Sequence, residues 1–139
     1  MVAARPFASD DAVHAAADRL WGSATPSEVL EALTHHPEIG ADLASLRARF
    51  ASTAGWSGAE QAALGHADEQ TLLALRDGNL EYKAKFGFIF VVCATGKSAA
   101  QMLELLQARL PGDRETELRN AAREQQAITH LRLIKLADE

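Results

Sequence analysis

The sequence contains one cysteine, Cys93, and therefore cannot form a disulfide bond within a single chain. Structural disulfide bonds belong to oxidising compartments, so their exclusion favours a reducing cytoplasm. The opening residues, MVAARPFASDD, contain no apolar stretch long enough for a secretory signal. No uninterrupted apolar run approaches the roughly 18 residues that a membrane-crossing helix needs. We therefore expect a cytoplasmic protein that has no membrane partner.

Positive charge is also scarce, because 14 lysines and arginines stand against 19 aspartates and glutamates, for a net charge of -5. Domains that bind nucleic acid usually carry a basic face, so we expect no nucleic-acid partner. Metal-binding motifs are missing: there is no cysteine pair, no His-Glu-x-x-His and no Glu-x-x-His sequence. Gly96-Lys97-Ser98 looks like the end of a phosphate-binding loop, but Val91 stands where that loop requires its earlier glycine. We expect neither a metal nor a cofactor.

What the chain does contain is apolar residues at helical spacing. Its 139 residues are 47% hydrophobic and 24% charged, which suits one soluble domain over residues 1–139. Apolar residues near the start recur at intervals of three and four and so share one helix face; they are Val13, Ala16, Ala17, Leu20 and Trp21. The outermost parts of the apolar faces could serve a homodimer. We predict an all-α, compact, single-domain bundle of several helices.

Helix starts are marked by capping boxes, in which serine or threonine is followed three residues later by glutamate or glutamine. Thr25-Pro26-Ser27-Glu28 and Ser57-Gly58-Ala59-Glu60 fit this pattern, and Ser98-Ala99-Ala100-Gln101 caps a third helix. The first of these helices should stop near His35, because Pro37 disfavours helical backbone at His36. Pro111-Gly112 ends the third, and a last helix should run from about Asp113 to about Leu136.

The middle of the chain is predicted to be interrupted. The helix that begins after Ser57 should run to Arg76, break at Asp77-Gly78-Asn79 and resume until Phe86. Gly87 can end it in a left-handed turn. Phe88-Ile89-Phe90-Val91-Val92 is too rich in β-branched and aromatic residues for a comfortable helix. We therefore predict a short, buried, extended segment at residues 88–92.

Arg132 is the first candidate site residue, because it lies within an apolar arc of the last predicted helix. The arc comprises Leu118, Ala121, Ala122, Gln125, Ile128 and Leu136, whereas His130 points away from it. A buried guanidinium costs several kcal/mol unless it is paired. Arg132 is therefore expected to be buried, either in a structural salt bridge or as a fork for a ligand carboxylate or carbonyl.

His36 is the second candidate, because a helix end precedes it and a proline follows it, which places it on a rigid corner. An imidazole can give or take a proton at neutral pH, although most loop histidines are merely exposed. His35 is the neighbouring alternative. Glu60 is ambiguous, because a capping box fully accounts for a glutamate there, and Gln61 could be an ordinary polar helix residue.

Four blocks of the sequence together resemble the 2-oxo-4-hydroxy-4-carboxy-5-ureidoimidazoline (OHCU) decarboxylase family. The blocks are His36-Pro37-Glu38-Ile39-Gly40, Trp56-Ser57-Gly58-Ala59-Glu60-Gln61, the stretch from Tyr82 through Lys85-Phe86-Gly87-Phe88-Ile89-Phe90 to Gly96-Lys97-Ser98, and Ile128-Thr129-His130-Leu131-Arg132-Leu133. Each block alone is a weak pattern, but in this order they are specific. The resemblance runs from about Arg5 to Leu136, nearly the whole chain.

The resemblance implies a cofactor-independent enzyme that decarboxylates OHCU to (S)-allantoin and carbon dioxide in urate breakdown. Its catalytic residues would be His36 as proton donor, Glu60 and Arg132. Substrate binding would involve Pro37, Ser57, Gln61 and main-chain groups of Phe90, Val91, Val92 and Cys93.

The resemblance also has two departures. Family members usually have an upstream helix with a Phe-Asn pair, and this sequence begins just after where that helix would lie. Either a pocket wall or dimer contact differs, or the assigned start of the chain is wrong. Glu38 stands where they often carry a basic or other polar residue, and it adds negative charge beside His36.

The implied reaction needs no electron sink beyond the substrate. Loss of carbon dioxide leaves electrons that the adjacent imine can accept, so catalysis reduces to holding the ring, stabilising charge and delivering a proton. Two other interpretations stay open. One is a non-catalytic helical interaction module, with Glu60 as a cap and Arg132 in an ion pair. The other is a hydrolase of a cyclic ureide, which would use much the same residues.

Overall fold

The structure is a computed structural model that describes residues 1–36, 38, 42–50 and 58–138, with the backbone alone described at residues 49 and 58–68. Within these residues a 3-10 turn at Val2–Ala4 is followed by six α-helices. They are α1 (Asp10–Gly22), α2 (Pro26–Thr34), α3 (Leu43–Phe50), α4 (Gly58–Phe86), α5 (Ala99–Arg109) and α6 (Arg114–Ala137). No described residue lies in a β-strand, and the predicted all-α fold is confirmed. No helix in the described ranges is long and apolar enough to cross a membrane.

Side chains cap the starts of α1, α2, α5 and α6. The predicted capping boxes of α2 and α5 are both present, with Thr25 and Ser98 as the N-caps. Ser9 accepts a hydrogen bond from the main-chain N–H of the third residue of α1, and Asp113 does the same for α6. α2 ends at Thr34 with His35 as its C-cap, as the proline after His36 predicted.

The core forms where α4 packs against α5 and α3, and where α6 packs against α1 and α2. Its largest fully buried side chains are Tyr82, Phe86, Leu33, Leu46, Leu75, Met102, Leu106 and Glu117. On α1, the indole Nε1 of Trp21 donates to the main-chain oxygen of Ala122 at 2.8 Å. Leu20, predicted on the same buried face, is instead half exposed. The apolar face of α1 is therefore narrower than its spacing suggested.

The predicted helix break at residues 77–79 is wrong, because α4 is 29 residues long and continues through these three residues. Gly78 is the point of close approach to α5: a Cβ there would lie 2.6 Å from Cδ2 of Leu106. The side chain of Asn79 donates to the main-chain oxygen of Leu75 at 2.7 Å, which adds a bond inside the helix. A glycine in a helix costs about 1 kcal/mol, whereas each large buried side chain contributes about 1.5–3 kcal/mol. Burial of the Leu75 and Tyr82 side chains on either side of Gly78 therefore outweighs the cost of the glycine and keeps the helix continuous.

The chain leaves α4 through Gly87, whose φ of +80° is the predicted left-handed turn. Its N–H donates to the main-chain oxygen of Lys83 at 2.9 Å, which closes the last turn of the helix. Residues 88–92 then run without regular secondary structure, and four of the five side chains are buried. The prediction of a buried, non-helical segment is confirmed, and we call residues 88–92 the extended segment.

Gly87→Ala is expected to lower the free energy of unfolding by about 1–2 kcal/mol, because a Cβ is disfavoured in the left-handed region. Space is not the cause, since an added Cβ at Gly87 meets no atom within 4 Å. Gly22→Ala is the matched control, because Gly22 also has open space around its Cβ position but no positive φ. Urea unfolding measures both; equal effects of the two substitutions would contradict a backbone cause.

Candidate active site

His36 lies two residues beyond the end of α2, and its main-chain N–H donates to the oxygen of Leu33 at 3.2 Å. The side chain is half-buried. Its Nε2 forms a hydrogen bond with Oε1 of Gln125 on α6. The corner after α2 is thus tied to the middle of the last helix through the imidazole ring. His35, the alternative candidate, is exposed.

A cavity of about 450 Å³ lies beside His36, within the size range of small-molecule sites. It is lined by Leu30, Leu33, Thr34, His36, Glu38, Lys83, Gly87, Phe88, Ile89 and Arg114. Lys83 and Glu38 form an ion pair at its partly exposed edge. Arg114 donates from Nε to the main-chain oxygen of Phe86 at 3.1 Å, and its guanidinium stands over the ring of Phe88. The cavity is therefore lined by apolar side chains on one part of its wall and by polar groups that can accept or donate hydrogen bonds on another.

The extended segment forms part of the cavity wall through Phe88 and Ile89, and it leads into the predicted main-chain contacts at residues 90–93. Several of those main-chain groups already have protein partners. The oxygen of Val91 accepts from Nη1 of Arg109 at 2.9 Å. The N–H of Cys93 donates to Oε2 of Glu124 at 2.8 Å, and its oxygen accepts from Nζ of Lys97 at 2.7 Å. Across the described ranges, no hydrogen bond involves the main chain of Phe90 or Val92.

A buried polar cluster behind the extended segment was not predicted from the sequence. Oε2 of Glu117 accepts from the Tyr82 hydroxyl at 2.7 Å and from Nε of Arg109 at 2.8 Å. Oε1 of Glu117 accepts from Asn120 at 3.0 Å. Burial, together with the hydrogen bond to Glu117, holds the pKa of the Tyr82 hydroxyl well above its ordinary value. Tyr82 therefore stays a donor, and Arg109 connects this cluster to the main chain at Val91.

A signal for this cluster was present in the sequence. Glu117 stands four residues before Ala121, at the edge of the apolar arc of α6 that drew attention to Arg132. The criterion of a charged residue on an apolar arc selects Glu117 once the edge of the arc is included. Glu117 is 2% exposed, so the criterion succeeds at the start of the helix.

The predicted burial of Arg132 is wrong, because its side chain is exposed. The apolar arc of α6 is covered around Ala121, but Leu136 near the end of the helix is 65% exposed. Helical periodicity identifies a face but not how far the neighbouring helices extend along it. Within the described part of the chain, the guanidinium of Arg132 has no hydrogen-bond or ion-pair partner.

The remaining predicted site residues fall wholly or partly outside the described residues. Pro37 and Ser57 are not described, and the side chains of Glu60 and Gln61 are not described either. The backbone of Glu60 and Gln61 lies in the first turn of α4, which begins at Gly58. The helix start predicted after Ser57 is therefore confirmed, whereas the capping box stays a prediction. Among the described side chains, no three histidine, cysteine, aspartate or glutamate residues are grouped as metal ligands.

Comparison with known proteins covers nearly the whole chain. The sequence model of one family, OHCU decarboxylase, matches residues 1–134. The uric acid degradation bifunctional protein TTL of Arabidopsis thaliana is 38% identical over 133 residues, which are 94% of this chain and 40% of that protein. The OHCU decarboxylase of Xenopus laevis is 41% identical over 58 residues, 42% of this chain and 33% of that protein. The chain thus spans less than half the length of both relatives.

The fold agrees with a solved structure as well. The crystal structure of an OHCU decarboxylase in the presence of (S)-allantoin superposes with a TM-score of 0.73 and 34% sequence identity. The match covers 98% of this chain and 86% of that one. Because the family model and the structural match each cover nearly the whole chain, this chain belongs to the OHCU decarboxylase family.

Proposed function

We propose that this chain decarboxylates OHCU to (S)-allantoin and carbon dioxide without a cofactor, as a step of urate breakdown. The observation that carries the proposal is the position of His36. The ring is half-buried on a fixed corner, it lines a cavity of about 450 Å³, and it stands in the family's His-Pro block. A histidine so placed can deliver a proton to one face of a bound ring.

The substrate carries a carboxylate and a hydroxyl on one ring carbon, next to an imine carbon bearing the ureido group. In the proposed reaction the bond to the carboxylate breaks, its electron pair moves toward the imine, and carbon dioxide leaves. His36 then delivers a proton to the ring carbon that bears the ureido group. In net terms the hydroxyl proton moves to the former imine nitrogen, which leaves a carbonyl at the carbon that lost carbon dioxide. Delivery from one side explains a single enantiomer, because free decay can take up the proton from either face.

We assign recognition of the substrate anion to Arg132 and binding of the ureido N–H groups to Glu60. An exposed guanidinium suits the role of Arg132, since its planar N–H groups can form two parallel hydrogen bonds to a carboxylate or carbonyl. Pro37, Ser57 and Gln61 are proposed as further contacts of the ring.

The extended segment supplies the last proposed contacts. Three main-chain groups of Val91 and Cys93 are bonded to Arg109, Glu124 and Lys97. They hold the segment in place, and we assign direct substrate contact to the main-chain groups of Phe90 and Val92. Cys93, whose side chain is half-buried, directly follows the segment and is proposed as a further contact.

Product analysis tests the proposed function. Freshly made urate-oxidation product is added to the protein, and carbon dioxide and the optical activity of allantoin are followed together. We expect carbon dioxide with the S enantiomer, whereas spontaneous decay alone gives racemate. A ring-opened acid without carbon dioxide would indicate a ureide hydrolase. Racemate at the spontaneous rate would favour a non-catalytic interaction module.

Glu60→Gln separates a catalytic from a capping role. Glutamine also serves at the third position of a capping box, so the start of α4 should be kept. We expect turnover to fall by roughly two orders of magnitude, the scale of one lost electrostatic contact in an active site. The free energy of unfolding should change by about 1 kcal/mol or less. Parent-like turnover would remove Glu60 from the catalytic set; Glu60→Ala, which also breaks the cap, should lower stability under either role.

We further propose that the protein acts in the cytoplasm and pairs with a second copy of itself. The single cysteine supports the first point. The second is supported by Leu136, an exposed residue on the outer part of the apolar arc of α6.

A further inference from the structure

We propose that Gln125 is a positioning residue that holds the neutral ring of His36 with its proton on Nε2, so that Nδ1 exchanges the proton with substrate. The inference rests on the catalytic role proposed above for His36. It depends on three half-buried residues, His36, Gln125 and Thr129, that form one chain of hydrogen bonds between the corner after α2 and α6.

The chain starts at Thr129, whose hydroxyl has a single hydrogen. The hydroxyl lies 3.0 Å from the main-chain oxygen of Gln125, four residues earlier, and donates to it. This is the usual bond of a threonine inside a helix. With its hydrogen committed there, the same Oγ1 can only accept the second contact, from Nε2 of Gln125 at 3.1 Å.

The next step is the orientation of the Gln125 side chain. Because its nitrogen faces Thr129, its Oε1 faces His36. An amide oxygen has no hydrogen, so the bond between Oε1 and Nε2 of His36 needs a proton on Nε2. A neutral imidazole carries one N–H, and the lone pair is therefore on Nδ1.

The same bond also serves the protonated ring. An imidazolium donates from both nitrogens, so Nε2–H keeps its contact with Gln125 while Nδ1 gains the proton. The mobile proton is thus always the one on Nδ1, and the ring does not have to turn between the two states. Charged groups on the same cavity are Glu38, Lys83 and Arg114, and the first two pair with each other. Within the described residues, Gln125 is the side chain that hydrogen-bonds to the ring.

Nitrogen-15 NMR of the free protein tests the inference without substrate, because protonated and unprotonated ring nitrogens have different shifts. Under mildly alkaline conditions we expect the parent His36 to show a proton on Nε2 alone. Gln125→Leu removes the acceptor, and a measurable share of the Nδ1–H form should appear. Gln125→Glu keeps an acceptor and should keep the parent pattern. Gln126→Leu is the matched control, since Gln126 contacts Asp18 instead, at 2.7 Å.

Kinetics provide a second readout. Gln125→Leu should lower kcat about tenfold with little change in KM, the scale of one lost hydrogen bond to the reacting group. A parent His36 with its proton on Nδ1, or a tautomer that Gln125→Leu leaves unchanged, would overturn the inference. If OHCU is not turned over at all, the proposed function fails, yet the expected NMR pattern would still support the role of Gln125.

Discussion

His36→Asn should abolish the stereospecific formation of (S)-allantoin and leave the fold intact. Asparagine cannot carry a transferable proton at neutral pH, and a positioned acid or base usually contributes about 10²–10⁴-fold to the rate. The structural loss is at most one half-buried hydrogen bond to Gln125, worth about 0.5–1.5 kcal/mol. The optical activity of allantoin measures the first effect, and a thermal melt followed by far-UV circular dichroism measures the second.

His35→Asn is the control for that experiment. His35 adjoins His36 in the sequence, is exposed, and caps α2 through its main-chain N–H rather than through its ring. We expect near-parent activity and stability. A reversed pattern, with His35→Asn inactive and His36→Asn active, would show that the wrong histidine has been assigned the proton transfer.

Arg109→Ala should lower the free energy of unfolding by about 3–5 kcal/mol, the usual cost of removing one partner from a buried ion pair. The variant leaves the carboxylate of Glu117, 2% exposed, without its positive partner. It also leaves the main-chain oxygen of Val91 without its donor and removes a cation from the face of Phe90, 4.7 Å away. Denaturant unfolding, with the slope checked for two-state behaviour, measures the loss.

Two further variants interpret that measurement. Arg119→Ala breaks an ion pair in which the side chains of Arg119 and Glu115 are 65% and 83% exposed. The free energy of unfolding should therefore stay unchanged within error. Arg109→Met combined with Glu117→Leu removes both charges and should be more stable than Arg109→Ala, because no unpaired charge stays buried. If Arg109→Ala cost no more than Arg119→Ala, the cluster would contribute little to the fold.

Features set by neighbouring residues in the chain could be predicted from the sequence. The caps at Thr25 and Ser98, the end of α2 before Pro37 and the left-handed Gly87 all depend on contacts within about four residues. The extended segment at residues 88–92 belongs to the same class, since side-chain shape disfavours helix there. Local chemistry therefore determined most helix boundaries.

Features set by packing could not be predicted in the same way. Gly78 interrupts a helix in isolation, but against Leu106 it allows α4 and α5 to come close, and the helix continues. Arg132 and Glu117 lie on the same face of α6, yet one is exposed and the other buried, because coverage by neighbouring helices differs along the helix. The relation between His36 and Gln125 spans 89 positions of sequence and follows only from the fold.

The extended segment obtains its anchors from far along the chain, and this bears on the order in which the molecule assembles. Val91 is held by a side chain 18 positions later and Cys93 by one 31 positions later. Arg109 lies on α5 and Glu124 on α6, so these bonds need both helices in place and we expect them to be absent from the rate-limiting transition state. Substitutions at Glu124 would then speed unfolding more than they slow folding. On this view the wall that we assign to the substrate is completed only after α5 and α6 have docked.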